Sequence, residues 1–194
     1  MTFDRTSAFL RVLDPADNAT GGGSASAISG AMAAALAAMV ARLSSNRAGG
    51  EPDAVYREIA TRGSELADAL LAGADEDARS FDAVMAAYGL PKGSVEEKLW
   101  RSAAIQTAMS HATRAPLHNA ELCAEVLGLV ARLEGRSNPR TLSDLRSAGY
   151  LARAGLLGCL ANVEINLPGI KDAAVARDFW ARAERLVTLS KPSS

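Results

Sequence analysis

Three consecutive glycines lead directly into an apolar segment, where Thr20 is followed by Gly21, Gly22, Gly23 and Ser24. Because glycine lacks a Cβ, such a run lets the backbone approach a ligand closely. A helix beginning there would offer free N–H groups and a partial positive charge to a carboxylate, a phosphate or a developing oxyanion. The spacing fits neither the dinucleotide fingerprint nor the phosphate loop of nucleotide-binding proteins. A flexible turn with Ser24 as helix cap is the alternative.

Acidic residues supply a second candidate, in the run Asp75, Glu76 and Asp77. Carboxylates are favoured in the first turn of a helix by its dipole, and that interpretation needs no function. A carboxylate turned into a cleft would instead lose solvation, so its pKa would rise toward that of a general base. Lys92, in the loop 90–93, could hold an anionic group or could simply be solvated.

Amide side chains form a third group, in which Asn138 precedes Ser143 and Asp144. Asn162 and Asn166 stand four residues apart, so both lie on one face of a helix. Their amides could recognise the edge of a heterocycle or could serve packing alone.

Histidine and cysteine are too scarce for most metal sites and for a disulfide framework. His111 and His118 have no third ligand nearby in sequence, so no metal site is predicted. Cys123 and Cys159 have no neighbouring histidine partner, and buried, unreactive thiols are the prediction.

The elements that must position these residues are predicted to be helices. Alanine makes up about a fifth of the 194 residues, and it loses no side-chain entropy in a helix. The net charge of −1 gives no basic excess that would favour nucleic acid or anionic lipid. The most apolar run, 31–41, is shorter than the roughly 20 residues that a bilayer requires. We therefore expect a cytoplasmic, all-α protein with no membrane span, no secretory signal and no nucleic-acid partner.

Proline and glycine divide the chain into predicted helical blocks within one domain over residues 1–194. The helix 24–43 is apolar nearly all round, which predicts burial in the monomer, in an oligomer interface, or in both. Gly73 is expected to stop one helix, and Pro116 to kink or break another near residues 113–116. Ser94 begins a helix with a capping box. The remaining predicted helical segments are 4–13, 52–71, 81–88, 122–133, 143–165 and 172–189.

Together these segments resemble the formiminotetrahydrofolate cyclodeaminase and methenyltetrahydrofolate cyclohydrolase family. Each motif is weak alone, but the ordered set extends over nearly the whole chain. The matching segments are 21–24 with the helix through 40, Asp77 with 81–88, 90–92, 96–98, 116–117, 143–144 and 162–167.

The resemblance implies a multihelical bundle with long antiparallel helices around a buried Ala-rich helix, assembled as a homodimer or larger homo-oligomer. It implies a small-molecule folate substrate, with no metal and no cofactor beyond that tetrahydrofolate derivative. Asp77 matches the proposed proton acceptor and would act as general base. The substrate-binding residues it implies are Gly21, Gly22, Gly23, Ser24, Lys92, Asn138, Ser143, Asp144, Asn162 and Asn166.

Hydrolytic opening of methenyltetrahydrofolate to formyl-tetrahydrofolate is the leading hypothesis for the activity. The closest alternative is a formiminotetrahydrofolate cyclodeaminase that releases ammonia. Arg140 and Arg146 stand where the family usually has other residues. They could recognise a carboxylate or phosphate, which motivates another alternative, a different cyclisation or C–N bond reaction on a non-folate substrate. A non-catalytic folate-binding protein is the last alternative.

Overall fold

The computed structural model describes residues 20–46 and 50–189 of the chain. These residues form no strand, so the all-α prediction is confirmed. The helix predicted over residues 4–13 lies outside the described residues. The described helices are α1 (Gly22–Ser44), α2 (Asp53–Gly89), α3 (Val95–Leu133), α4 (Leu142–Asn166) and α5 (Ala173–Leu189).

The Ala-rich helix α1 is central in the bundle and packs chiefly against α2 and α4, with α3 also in contact. Small residues bring these helices close together. A Cβ on Gly63 of α2 would lie 3.0 Å from the Ala38 side chain, and one on Gly155 of α4 would lie 2.7 Å from the Ser26 carbonyl oxygen. α1 would also suit a membrane span by length and composition, but 61% of its most apolar window is buried inside the bundle.

Neighbouring long helices run antiparallel, and this determines which residues lie at each end of α1. The C-terminal half of α2 meets the start of α1, where Ser24 contacts Ala74. The end of α4 meets the same place, because Asn162 lies beside Gly22. The start of α4 therefore lies at the opposite end of α1.

The prediction that Gly73 ends a helix is wrong, because α2 continues from Asp53 to Gly89 without interruption. Glycine at position 73 leaves room for a side chain of the neighbouring helix α3. A Cβ at this position would lie well inside contact distance of the Asn119 side chain on α3. A glycine within a helix costs about 1 kcal/mol relative to alanine, and the packing of a long helix offsets that cost.

The break expected at Pro116 is also absent, because α3 extends from Val95 to Leu133. Proline cannot donate to the carbonyl four residues earlier, which is that of Ala112. That carbonyl instead accepts a hydrogen bond of 2.8 Å from the Asn166 side chain of α4. The helix tolerates its proline because a neighbouring helix supplies the missing donor.

The remaining helix boundaries agree closely with the sequence. α3 begins after Ser94, whose side chain and that of Glu97 form the predicted capping box. α5 begins after Asp172, whose carboxylate accepts the backbone N–H of Ala174 at 2.8 Å. Cys123 and Cys159 are both buried, as predicted.

Candidate functional site

The carboxylate of Asp77 lies at the N-terminus of α1, although Asp77 itself belongs to α2. Its Oδ2 accepts the Ser24 hydroxyl at 3.1 Å, and the carboxylate also accepts the Ser24 backbone N–H. Gly21, which precedes α1, has no side chain to cap the helix. Asp77 thus caps α1 from a neighbouring helix, where the dipole favours negative charge. The interpretation of residues 75–77 as a first helical turn is wrong, because they lie within α2.

The glycine triplet provides the space for this contact. A Cβ on Gly23 would lie 2.5 Å from the Asp77 carboxylate, so any residue other than glycine would displace that carboxylate. A Cβ on Gly22 would lie 3.7 Å from Nδ2 of Asn162, an ordinary contact. Nothing lies within 4 Å of the corresponding point on Gly21. The three glycines therefore differ in role, and Gly23 is the one that the carboxylate requires.

Partial burial raises the pKa of Asp77 above its ordinary value. The hydrogen bonds from the Ser24 hydroxyl and backbone N–H act in the opposite direction but do not outweigh the loss of solvation. A carboxylate with a raised pKa binds a proton more strongly than a solvated one. The site therefore holds a carboxylate suited to accept a proton from a neighbouring group.

Asn162 lies on the other side of the helix N-terminus from Asp77, beside Gly22. Its Nδ2 donates to the Gly158 carbonyl of its own helix at 2.9 Å. The side chain is half-buried. α1, α2 and α4 thus bring Asp77, the glycine triplet with Ser24, and Asn162 together at one end of the bundle.

Asn166 shares a helix face with Asn162 but contacts a different neighbour. Its Nδ2 is committed to the Ala112 carbonyl of α3. The sequence prediction assigns Asn166 to substrate binding, whereas the structure gives its amide nitrogen a bond that stabilises α3 at Pro116.

Asn138, Ser143 and Asp144 lie at the opposite end of α1 from Asp77. The Asn138 backbone N–H donates to the Ser44 hydroxyl at 2.8 Å, and its side chain donates to the Leu43 carbonyl at 3.0 Å. The exposed Ser143 and the half-buried Asp144 follow in the first turn of α4. α1 is about 33 Å long at 1.5 Å per residue. Within one chain, these three residues do not come near Asp77.

Lys92 is exposed in the turn between α2 and α3. α2 rises by about 18 Å from Asp77 to Gly89, beyond which Lys92 lies. Lys92 therefore does not reach the Asp77 carboxylate of the same chain.

Asn119 supports the site, and the sequence analysis missed it. It is fully buried, its Nδ2 donates to the Gly73 carbonyl at 3.1 Å, and its Oδ1 has no hydrogen-bond partner. In an α-helix the Gly73 carbonyl also accepts the N–H of Asp77. Asn119 thus fixes the turn that carries Asp77. The sequence feature that could have indicated this role is the amide of Asn119 within the apolar face of α3.

Two grooves lie on the surface of the bundle, and neither is lined by Asp77. One of about 680 Å³ lies between α3 and α4 and is lined by Arg146, Tyr150 and Arg153. One of about 260 Å³ is lined by His111, His118 and neighbours that include Arg114. Within residues 20–46 and 50–189, no three His, Cys, Asp or Glu side chains are grouped closely enough to hold a metal ion.

Comparison with known proteins shows which family the chain belongs to. The model of the formiminotransferase-cyclodeaminase family matches residues 5–185. The chain belongs to this family. The family membership predicted from the ordered motifs is therefore confirmed.

Relatives within the family carry both activities in their names. The chain is 38% identical to the methenyltetrahydrofolate cyclohydrolase of Methylorubrum extorquens, over 92% of this chain and 86% of that one. It is 33% identical to the formimidoyltransferase-cyclodeaminase of Sus scrofa, over 94% of this chain. It spans only 34% of that longer protein.

A solved structure has the same fold. The formiminotetrahydrofolate cyclodeaminase of Thermotoga maritima matches with a TM-score of 0.81 and 27% identity. The match covers 92% of this chain and 85% of the other.

Proposed function

We propose that the protein is a methenyltetrahydrofolate cyclohydrolase, which opens the bridged ring of its substrate to formyl-tetrahydrofolate. The observation that carries the proposal is the partly buried carboxylate of Asp77 at the N-terminus of α1. The similarity to the Methylorubrum enzyme over most of both chains supports the choice of substrate.

In the proposed reaction, a water oxygen attacks the methenyl carbon, and Asp77 accepts a proton from that water. The carbon becomes tetrahedral between two nitrogens and carries the new hydroxyl group. One carbon–nitrogen bond then breaks as the hydroxyl proton passes to the departing nitrogen, which leaves the formyl group, and the proton held by Asp77 is released to solvent. The negative carboxylate also stabilises the cationic substrate electrostatically. The exposed Gly21 and Gly22 would lie against the substrate, and Ser24 holds the carboxylate through its hydrogen bond. Asn162 offers an amide to the pterin edge.

The substrate is the only small molecule that this chemistry needs, so we propose no metal and no further cofactor. We also propose a homo-oligomeric assembly in the cytoplasm, with no nucleic-acid or membrane partner. The near balance of charge, with 21 basic and 22 acidic residues, supports that choice of partners.

The test is the loss of methenyltetrahydrofolate absorbance with purified protein, compared with the spontaneous rate. Asp77→Asn should lower the catalysed rate about 100-fold or more, because a positioned base contributes about that much. Glu76→Gln is the matched control, since Glu76 is an exposed neighbour paired with Arg79. A catalysed rate equal to the spontaneous rate for the native protein would exclude this function.

The second candidate is the cyclodeaminase reaction, which the structural match to the Thermotoga enzyme favours. There the anilinic nitrogen of formimino-tetrahydrofolate attacks the carbon of the protonated formimino group, and Asp77 accepts the proton of the attacking nitrogen. Asp77 then returns this proton to the amino group, which leaves as ammonia and gives methenyltetrahydrofolate. Release of ammonia from formimino-tetrahydrofolate, without hydrolysis of the methenyl compound above its spontaneous rate, would select this candidate.

A further inference from the structure

The hydroxyl of Ser24 lies between two acceptors on α2. Its Oγ is 3.1 Å from Oδ2 of Asp77 and 3.1 Å from the carbonyl oxygen of Ala74. A hydroxyl carries one hydrogen, so it donates fully to only one acceptor at a time. The equal distances therefore allow two orientations of the hydroxyl, and the serine backbone does not have to move for the change between them.

Burial confines the Ser24 hydroxyl to these two acceptors. Ser24 is 1% exposed, and Ala74 beside it is 3% exposed. Within the described part of the chain, the hydrogen bonds of this hydroxyl go to the carboxylate and the carbonyl alone. Because a buried donor without a partner is costly, the hydrogen points to one of the two oxygens in every state of the site.

The Ala74 carbonyl can gain or lose this hydrogen bond at little cost. It lies inside α2, which is continuous from Asp53 to Gly89, so it also accepts the backbone N–H of Ala78. A carbonyl oxygen has two lone pairs and can accept a second donor. The Ala74 carbonyl is therefore paired whether or not the Ser24 hydroxyl points to it.

The charge of Asp77 decides which acceptor the hydroxyl prefers. A hydrogen bond to an ionised carboxylate is roughly twice as strong as one between neutral groups. The hydroxyl therefore favours Asp77 while that side chain is ionised, and it loses this preference when Asp77 takes up a proton. Asp77 keeps a donor in both cases, because its carboxyl group also accepts the backbone N–H of Ser24.

We propose that the Ser24 hydroxyl turns between these two acceptors, donating to Asp77 while the carboxylate is ionised and to the Ala74 carbonyl once Asp77 holds a proton. Ser24 is thereby a positioning residue for Asp77. Its part in catalysis rests on the proposed function, in which Asp77 takes a proton from water. Ser24, Ala74 and Asp77 each keep a hydrogen-bond partner in both states, so the proton transfer leaves no buried donor unpaired.

The groups that face the Asp77 carboxylate from α1 and α4 carry no charge. The first described residues of the chain, 20–29, contain no charged side chain. From α4, the thiol of Cys159 interacts with the carboxylate. A hydrogen bond with Cys123, together with burial, raises the pKa of the Cys159 thiol well above its usual range, so the thiol stays neutral. The Ser24 donors are therefore the groups on these helices that respond to the charge of Asp77.

The charged neighbours on α2 and α3 lie along a groove that Asp77 does not line. Glu76 is exposed and pairs with Arg79. The α3 residues of this groove with ionisable side chains are His111, Arg114 and His118. A change of charge there is common to all variants of Ser24, so a comparison among those variants cancels it.

Carbon-13 NMR of the protein without substrate tests the two positions of the hydroxyl. As the pH falls through the midpoint of Asp77, the Ala74 carbonyl carbon should shift with the same midpoint, because its oxygen gains the hydrogen bond. In Ser24→Ala this shift should disappear. The midpoint of Asp77 should also move to higher pH, because the donor that favours the ionised form is gone. Ser24→Thr, which keeps the hydroxyl, should restore both signals.

Three results would overturn the turning of the hydroxyl. They are an Ala74 signal that does not follow Asp77, an Ala74 shift that persists in Ser24→Ala, and an Asp77 midpoint that Ser24→Ala leaves unchanged. Ser29→Ala is the matched control. Ser29 also lies on α1, and its hydroxyl donates to the carbonyl of Leu151 on another helix at 2.9 Å. This variant should behave as the native protein does.

The pH dependence of methenyltetrahydrofolate hydrolysis tests the part of Ser24 in catalysis. On the acid side of the profile, the rate follows the ionised fraction of Asp77. Ser24→Ala should be about 10-fold slower there, because a hydrogen bond to a charged group contributes about that factor or more. The acid limb should move to higher pH with the NMR midpoint, and Ser24→Thr should move it back. An equal loss of rate at every pH would indicate a structural role and overturn the positioning role.

The two measurements separate the behaviour of the hydroxyl from the proposed function. The expected NMR result in a protein that does not hydrolyse methenyltetrahydrofolate would overturn the function and leave the turning of the hydroxyl supported. An active protein whose Asp77 midpoint does not respond to Ser24→Ala would overturn the role of Ser24 and leave the function supported.

Discussion

Asn166 supplies the hydrogen bond that Pro116 removes from α3. Its side-chain nitrogen lies 2.8 Å from the Ala112 carbonyl oxygen, which an ordinary residue at position 116 would satisfy with its own N–H. The two residues belong to different helices and are fifty positions apart in sequence. The bond explains how a 39-residue helix continues through a buried proline.

Removing the Asn166 amide should therefore destabilise the protein in a way that depends on residue 116. Asn166→Ala should cost about 1–3 kcal/mol, because it leaves the Ala112 carbonyl without a donor. In a Pro116→Ala background the cost should be smaller, since the new N–H can bond that carbonyl. The free energies of unfolding in urea for the four proteins would measure the coupling. Equal costs in the two backgrounds would refute this role.

Gly23→Ala should impair catalysis by displacing Asp77, since the added Cβ would meet the carboxylate at 2.5 Å. The expected result is a large fall in kcat, with the helical circular dichroism of the native protein. Gly21→Ala is the matched control, because its Cβ would meet nothing within 4 Å. Comparable losses in the two variants would show that the triplet acts through flexibility and not through the contact with Asp77.

Gly73→Ala should destabilise the protein by about 1–3 kcal/mol, because the Cβ would collide with the buried Asn119 side chain. Gly128→Ala, at an open position within α3, should instead stabilise by about 0.5–1 kcal/mol through helix propensity. Chemical unfolding measures the change in the free energy of unfolding for both variants. A stabilising Gly73→Ala would contradict the packing described between α2 and α3.

Asp77→Asn should stabilise the protein at neutral pH while it abolishes activity. Since burial raises the folded-state pKa of Asp77, the ionised form costs stability above that pKa, and the cost disappears as the pH falls through it. The variant should therefore unfold at a higher temperature than the native protein at pH 8, and the difference should close toward about pH 4. Thermal unfolding across this pH range measures the difference in unfolding temperature. Asp82→Asn, at an exposed position, is the control. A difference that widens in acid would contradict the raised pKa.

Local sequence patterns were sufficient for most helix boundaries. The capping box at Ser94, the end of the predicted segment 81–88 and the apolar composition of α1 depend on neighbours within a few residues, so they are visible in the chain itself. The predicted helix stop at Gly73 and the predicted break at Pro116 are wrong because the side chains that accommodate these residues lie on other helices. Asn119 lies beside Gly73, and Asn166 compensates for Pro116. A local pattern cannot indicate that a helix breaker is compensated by a distant side chain.

The same distinction between local sequence and tertiary packing applies to the candidate site. The sequence by itself determined the helical class and the family, and the resemblance predicts Asp77 and the glycine triplet as site residues. It could not show that Asp77 caps α1 and not its own helix, because that contact depends on the packing of α2 against α1. Nor could it show that Asn138 and Asp144 lie at the far end of the bundle. Only the tertiary structure decided those positions, since the direction and length of each packed helix determine which residues meet.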